Sequence, residues 1–73
     1  MDRFFMRRVS AIAYLARCRR SLLEEVESQS RGDIEFESKQ IDVITRLLLD
    51  VRSGRVHKFE LTHPRAVEIH VTD

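Results

Sequence analysis

The chain has 73 residues, of which 42% are hydrophobic and 34% charged, with a single Pro and two Gly. This length allows one domain with a thin core and excludes a multidomain enzyme, while the composition excludes a disordered chain. Thirteen Lys+Arg against twelve Asp+Glu leave a net charge of +1, so no bulk charge draws the chain to nucleic acid or a membrane surface.

Charge is nonetheless segregated along the chain. Met1 to Ser21 holds six arginines against Asp2 alone, and Leu22 to Asp42 holds seven acids against Arg31 and Lys39. Eleven of the thirteen basic residues are Arg, the side chain suited to bidentate carboxylate or phosphate contacts. Cys18 is the only cysteine, which excludes an internal disulfide and fits a reducing, cytoplasmic setting. The longest uncharged run near the start, Val9 to Ala16, falls far short of the roughly 20 residues a membrane span needs. The Arg-rich start therefore reads as mature structure.

In chain order, a helical period predicts an amphipathic helix over 2–27, with Asp2 as N-cap. Phe4, Phe5, Ala11, Ile12, Leu15, Cys18, Leu22, Leu23 and Val26 fall on its apolar side, and Arg3, Arg7, Ser10, Tyr14, Arg17 and Ser21 on the other. Arg8 and Arg19 project into the apolar arc, where an unpaired charge is costly, so they need carboxylate partners or a route to water. Polar residues from Ser28 to Gly32 predict a turn, and the alternation around Ile34 suggests a short edge strand over 33–36. A second helix is expected over 38–53, with Ser38 as N-cap, Ile41, Ile44, Leu47, Leu48 and Val51 inward, and Gly54 as terminator. Asp42, Arg46 and Asp50, four apart on its wet side, predict ion pairs of a few tenths of a kcal/mol each. Leu49 lies off the apolar arc.

From Arg55 the period becomes two. Strands over 56–62 and 66–72 form a predicted antiparallel hairpin, turning at His63, Pro64 and Arg65. If Phe59 faces Ile69, then Leu61 faces Val67 and His57 faces Val71. The fold class expected is α+β: a long amphipathic N-terminal helix, a short edge strand, a second helix and a C-terminal β-hairpin, all within one domain.

Chemistry is sparse. His57, His63 and His70 share the hairpin, but alternation splits them between faces and no Cys or carboxylate set has ligand spacing, so no metal or cofactor is expected. Cys18 beside Arg17, Arg19 and Arg20 has the setting of an activated thiol, but its place on the apolar arc favours a small buried hydrophobe. No phosphate loop, nucleophile elbow or zinc-protease helix is present, and no enzyme or small-molecule substrate is expected.

Two binding readings follow. A 2–27 helix is roughly 39 Å long against roughly 24 Å for the second helix and about 30 Å for a globule of this size, so its apolar end overhangs. Its charge order also opposes the helix dipole, which an antiparallel copy would turn into complementarity. The first reading is a non-enzymatic regulatory domain that binds a protein partner or itself through Phe4, Phe5, Arg8, Ile12, Leu15, Arg19 and Leu23. Its plain counterpart is a monomer whose helix bends near Arg17 to Arg20. The alternative is nucleic-acid binding through Arg3, Arg7, Tyr14, Arg17 and Arg20, which the acids Glu24, Glu25 and Glu27 further along the helix oppose.

Overall fold

The computed structural model describes residues 2–28, 34–62 and 65–72. Its elements are β1 (Asp2–Arg7), α1 (Arg8–Ser28), α2 (Glu35–Arg52), β2 (Lys58–Leu61) and β3 (Val67–Thr72). The chain is α+β, two helices over one three-stranded sheet of order β1-β3-β2.

The hairpin forms in the expected register. Phe59 pairs with Ile69 and Leu61 with Val67, and Val71 N donates to His57 O at 2.8 Å, one pair beyond the end of β2. β2 has four residues where seven were expected, and β3 begins one residue later than expected. Within the expected turn only Arg65 is described; His63 and Pro64 lie outside the described residues.

The opening segment departs from expectation. Residues 2–7 are a strand, not the first turns of a helix, and they pair in parallel with β3, Phe4 beside Ile69 and Met6 beside Val71. The physical reason lies at the far end of the chain. A two-stranded hairpin is marginal by itself, and β3, with Val67, Ile69 and Val71 buried, needs hydrogen-bond partners on both edges. Aromatic Phe4 and Phe5 suit a strand better than a helix terminus. Helix α1 begins directly at Arg8 and, at 21 residues, is about 31 Å long against about 27 Å for the 18 residues of α2. The large length mismatch between the helices therefore disappears, and with it the overhang.

The core lies between the helices and the inner face of the sheet. It comprises Ala11, Leu15, Cys18 and Leu22 of α1, Ile44 and Val51 of α2, and Phe59, Leu61, Val67, Ile69 and Val71 of the sheet. Leu15 is wholly buried among these residues and so belongs to the chain's own core, not to a partner surface.

Helix α2 starts three residues before the expected cap. Ile34 occupies the N-cap position, Ser38 N donates to Ile34 O at 2.9 Å, and Glu35 and Glu37 in the first turn complement the helix dipole. The short edge strand expected over 33–36 does not form within the described residues, because Glu35 and Phe36 are already helical. Lys39 and Glu35 make an i,i+4 pair at 3.2 Å. The expected Asp42–Arg46–Asp50 ladder is not found among the described residues; Asp50 instead lies 4.0 Å from Arg55. Leu49 is 61% exposed, as its place off the arc implies.

The end of α2 is set by Gly54, as expected. Gly54 has φ +80°, its N–H reaches Val51 O at 3.2 Å, and Arg55 N reaches Asp50 O at 2.9 Å. These two bonds form a Schellman closure, which requires the left-handed conformation at its glycine. A Cβ on Gly54 would lie 3.2 Å from Arg8 Nη1, so the half-buried Arg8 rests its guanidinium against the C-terminal turn of α2, where the helix dipole favours a cation. Arg19 resolves its position differently, donating from Nε to Thr45 Oγ1 of α2 at 2.9 Å.

Two substitutions test this architecture. Gly54→Ala is expected to destabilise the fold by about 1–2 kcal/mol, through left-handed backbone strain and the contact with Arg8. Leu15→Ala should cost about 2–5 kcal/mol. Both are read from chemical denaturation midpoints, and an unchanged midpoint for Gly54→Ala would contradict the helix closure described.

Candidate functional site

Strand β1 brings most of the exposed sequence-predicted residues together. Parallel pairing places Asp2, Phe4 and Met6 on the helix side of the sheet, beside Val67, Ile69 and Val71, and Arg3, Phe5 and Arg7 on the outer side, beside Glu68, His70 and Thr72. β1 is also a sheet edge, since no described strand pairs with its other side.

On the outer face the centre is Glu68. Arg3 Nε donates to Glu68 Oε2 at 2.6 Å, His70 Nε2 lies 2.9 Å from the same oxygen, and Lys58 Nζ stands 3.4 Å from Oε1. Because a carboxylate only accepts, the proton on His70 is assigned to Nε2. The Glu68 side chain is 12% exposed, covered by its neighbours on the same face and not by a further protein layer. Desolvation is therefore outweighed. The hydrogen bond from His70, then that from Arg3, with the charges of Lys58 and Arg3 adding to them, lower the Glu68 pKa to about 2. Phe5 stacks on the His70 ring with centroids 4.7 Å apart and planes at 22°, yet stays 68% exposed.

On the helix side, β1 and α1 border an open cleft of about 450 Å³ lined by Phe4, Tyr14, Arg17, Cys18, Ser21 and Arg65. Helical spacing aligns Tyr14, Arg17, Cys18 and Ser21 along one side of α1, facing the strand. Arg65 donates from Nη2 to Asp2 Oδ2 at 2.7 Å, and its guanidinium carbon lies 5.9 Å from the centroid of the Phe4 ring. Burial, followed by the neighbouring Cys18, pushes the Tyr14 hydroxyl's pKa up, while Arg65 and Arg17 pull it down. Burial also raises the Cys18 thiol, against a hydrogen bond from Tyr14 and the charge of Arg17. The thiol sits at the cleft floor, mostly buried.

The sequence-predicted residues thus divide. Phe4 and Phe5 are exposed on opposite faces of β1; Arg8, Ile12, Arg19 and Leu23 are half-buried against their own fold; Leu15 is core. Of the arginine set, Arg3 is engaged by Glu68, Arg17 lines the cleft beside Tyr14, and Arg7 and Arg20 are exposed elsewhere, so the five do not share a face. Sequence reasoning missed Arg65, Glu68 and the role of His70. The alternation of β3 placed Glu68 and His70 on one face, but their partner strand was read as helix.

A family model for uncharacterized BTH_I2711-like proteins matches residues 2–71, from β1 into β3. The chain belongs to this family. No curated protein and no solved structure matches it. In this BTH_I2711-like chain, no helix among the described residues is long and apolar enough to cross a membrane. The described residues also hold no group of three or more His, Cys, Asp or Glu placed to bind a metal ion.

The Glu68 cluster has a pH signature. Its pKa is depressed on folding, so its contribution to stability is fully present above the ordinary value of 4.5 and is lost as pH falls toward about 2. Denaturation midpoints measured across that window should fall in the parent protein and fall less in Glu68→Gln. Parallel curves would contradict the assigned pairing.

Proposed function

We propose that the protein is a small non-enzymatic binding domain whose partner is a second copy of itself, joined through the open edge of β1. What carries the reading is that β1 is a six-residue edge strand with five exposed residues, Phe4 and Phe5 among them, and no Pro or Gly. Such an edge is a template for pairing. The sequence expected self-association through a helix at these residues; their strand conformation moves the contact to the backbone edge.

Charge selects the register. For a two-fold antiparallel pair that keeps the helices on one side, β1 can be centred on Arg3, Phe4 or Phe5. Centring on Arg3 sets the two Arg3 side chains opposite each other, and centring on Phe5 sets Arg3 opposite Arg7, both like-charge contacts. Centring on Phe4 has neither. It places Phe4 against Phe4 on the helix side and Arg3 against Phe5 on the outer side, a cation–π contact made twice by symmetry. The result is a six-stranded sheet running through two copies. Nucleic-acid binding has less support, since Arg3 and Arg7 lie on the outer side of β1 while Tyr14 and Arg17 border the cleft on its helix side, so the set presents no common face.

Sedimentation velocity at several protein concentrations in low salt is expected to show a monomer–dimer equilibrium. Phe5→Lys, which keeps an attractive neighbour in Glu68 within its own chain but faces Arg3 of the second copy, should weaken dimerisation about ten- to thirty-fold. Its circular dichroism should match the parent's. A parent protein that stays monomeric at high micromolar concentration overturns the reading.

A further inference from the structure

The cleft between β1 and α1 shares Phe4 with the proposed dimer contact, but its polar groups are ones that this contact does not use. Two guanidinium groups, Arg17 and Arg65, flank a space that also presents the hydroxyls of Tyr14 and Ser21 and the half-open ring of Phe4. No carboxylate among the described residues pairs with Arg17, and Arg65 spends one nitrogen on Asp2. The walls therefore carry one net positive charge, two arginines against one aspartate. A volume of about 450 Å³ lies within the range of small-ligand sites, which combine an apolar surface with a few converging polar groups.

We propose that this cleft binds a small aromatic acid: a monocyclic or bicyclic ring laid against Phe4 beside Tyr14, with its oxyanion held by Arg17 and Arg65 and accepting from the Ser21 hydroxyl. Arginine is suited to both halves of such a ligand, since its planar fork matches carboxylate and phosphate oxygens and its face stacks on rings. Arg65 already lies over Phe4 in this way. Burial raises the Cys18 thiol beside the ligand, and the proposal is for binding alone.

Tyr14 is the only tyrosine and the chain has no tryptophan, so intrinsic emission reports directly on the site. The full chain is titrated in low salt with phenyl phosphate, benzoate and inorganic phosphate. Emission is corrected for ligand absorbance, and amide shifts along residues 14–21 are followed in parallel by NMR. At least one aromatic acid should give saturable changes at about tenfold lower concentration than inorganic phosphate. Tighter binding of phenyl phosphate identifies a phosphoryl head group, and tighter binding of benzoate a carboxylate. Arg17→Gln, at an exposed helix position, should weaken either acid about tenfold or more while leaving sedimentation behaviour unchanged, which separates this site from the β1 edge. Phe4→Ala should weaken the aromatic acids but not inorganic phosphate.

The proposal is overturned if neither aromatic acid gives a saturable change up to on the order of 10 mM, or if Arg17→Gln binds as tightly as the parent. It is equally overturned if a single-stranded oligonucleotide binds and Arg7→Gln and Arg20→Gln weaken it as much as Arg17→Gln, because phosphates would then be tracked along the surface and not held in the cleft.

Discussion

A central strand needs a neighbour on each edge, and β3 obtains its two from opposite ends of the chain. The hairpin supplies β2, four residues long, and the first six described residues supply β1. Without β1, the backbone groups on one edge of β3 would be left beside a core that excludes water, at a cost comparable to several lost hydrogen bonds. The core side chains of α1 and α2 rest on the inner face that this three-stranded pairing creates. Closing the chain's ends together is thus the condition on which both helices depend for their buried surface.

The same pairing sorts charge. With β1 as a strand, consecutive residues point to opposite faces, so Arg3 goes to Glu68 while Asp2 goes to Arg65. Residues that look like a uniformly basic segment in sequence become two local ion-pair groups on opposite sides of a sheet. Arg17, with no carboxylate partner among the described residues, is the arginine of α1 that borders the cleft.

The legible parts of the fold are those whose information is local. The β2–β3 register follows from strict alternation between nearby segments, and the end of α2 from a glycine at the one position where the backbone turns left-handed. β1 was illegible for a physical reason. Phe4, Phe5 and Met6 are consecutive apolar residues with no period of two, because an edge strand beside a cleft can show apolar groups on both faces. They also lie at helical spacing from Ala11 and Ile12, and neither Gly nor Pro separates strand from helix. Only the contact with β3, more than sixty positions away, decides between the two conformations. Around the cleft, the sequence pattern groups Tyr14, Arg17 and Ser21 on one side of α1 but assigns Cys18 to the other, and Phe4 and Arg65 reach them only through the long-range pairing. That Arg8 and Arg19 need a partner or water was readable; that Arg19 meets the hydroxyl of Thr45 and that Arg8 rests at the turn of Gly54, both of or beside α2, was not.

The junction at Arg7 and Arg8 passes from strand to helix with no intervening residue. Slippage of the strand by one position would advance the chain by about 3.3 Å and exchange its faces, and α1 would have to unwind or rotate by about 100° to follow. A joint without slack behaves as a rigid crank: whatever seizes the strand also grips the helix. The strand at the sheet margin and the helical wall of the neighbouring crevice are in this way joined with no loop between them.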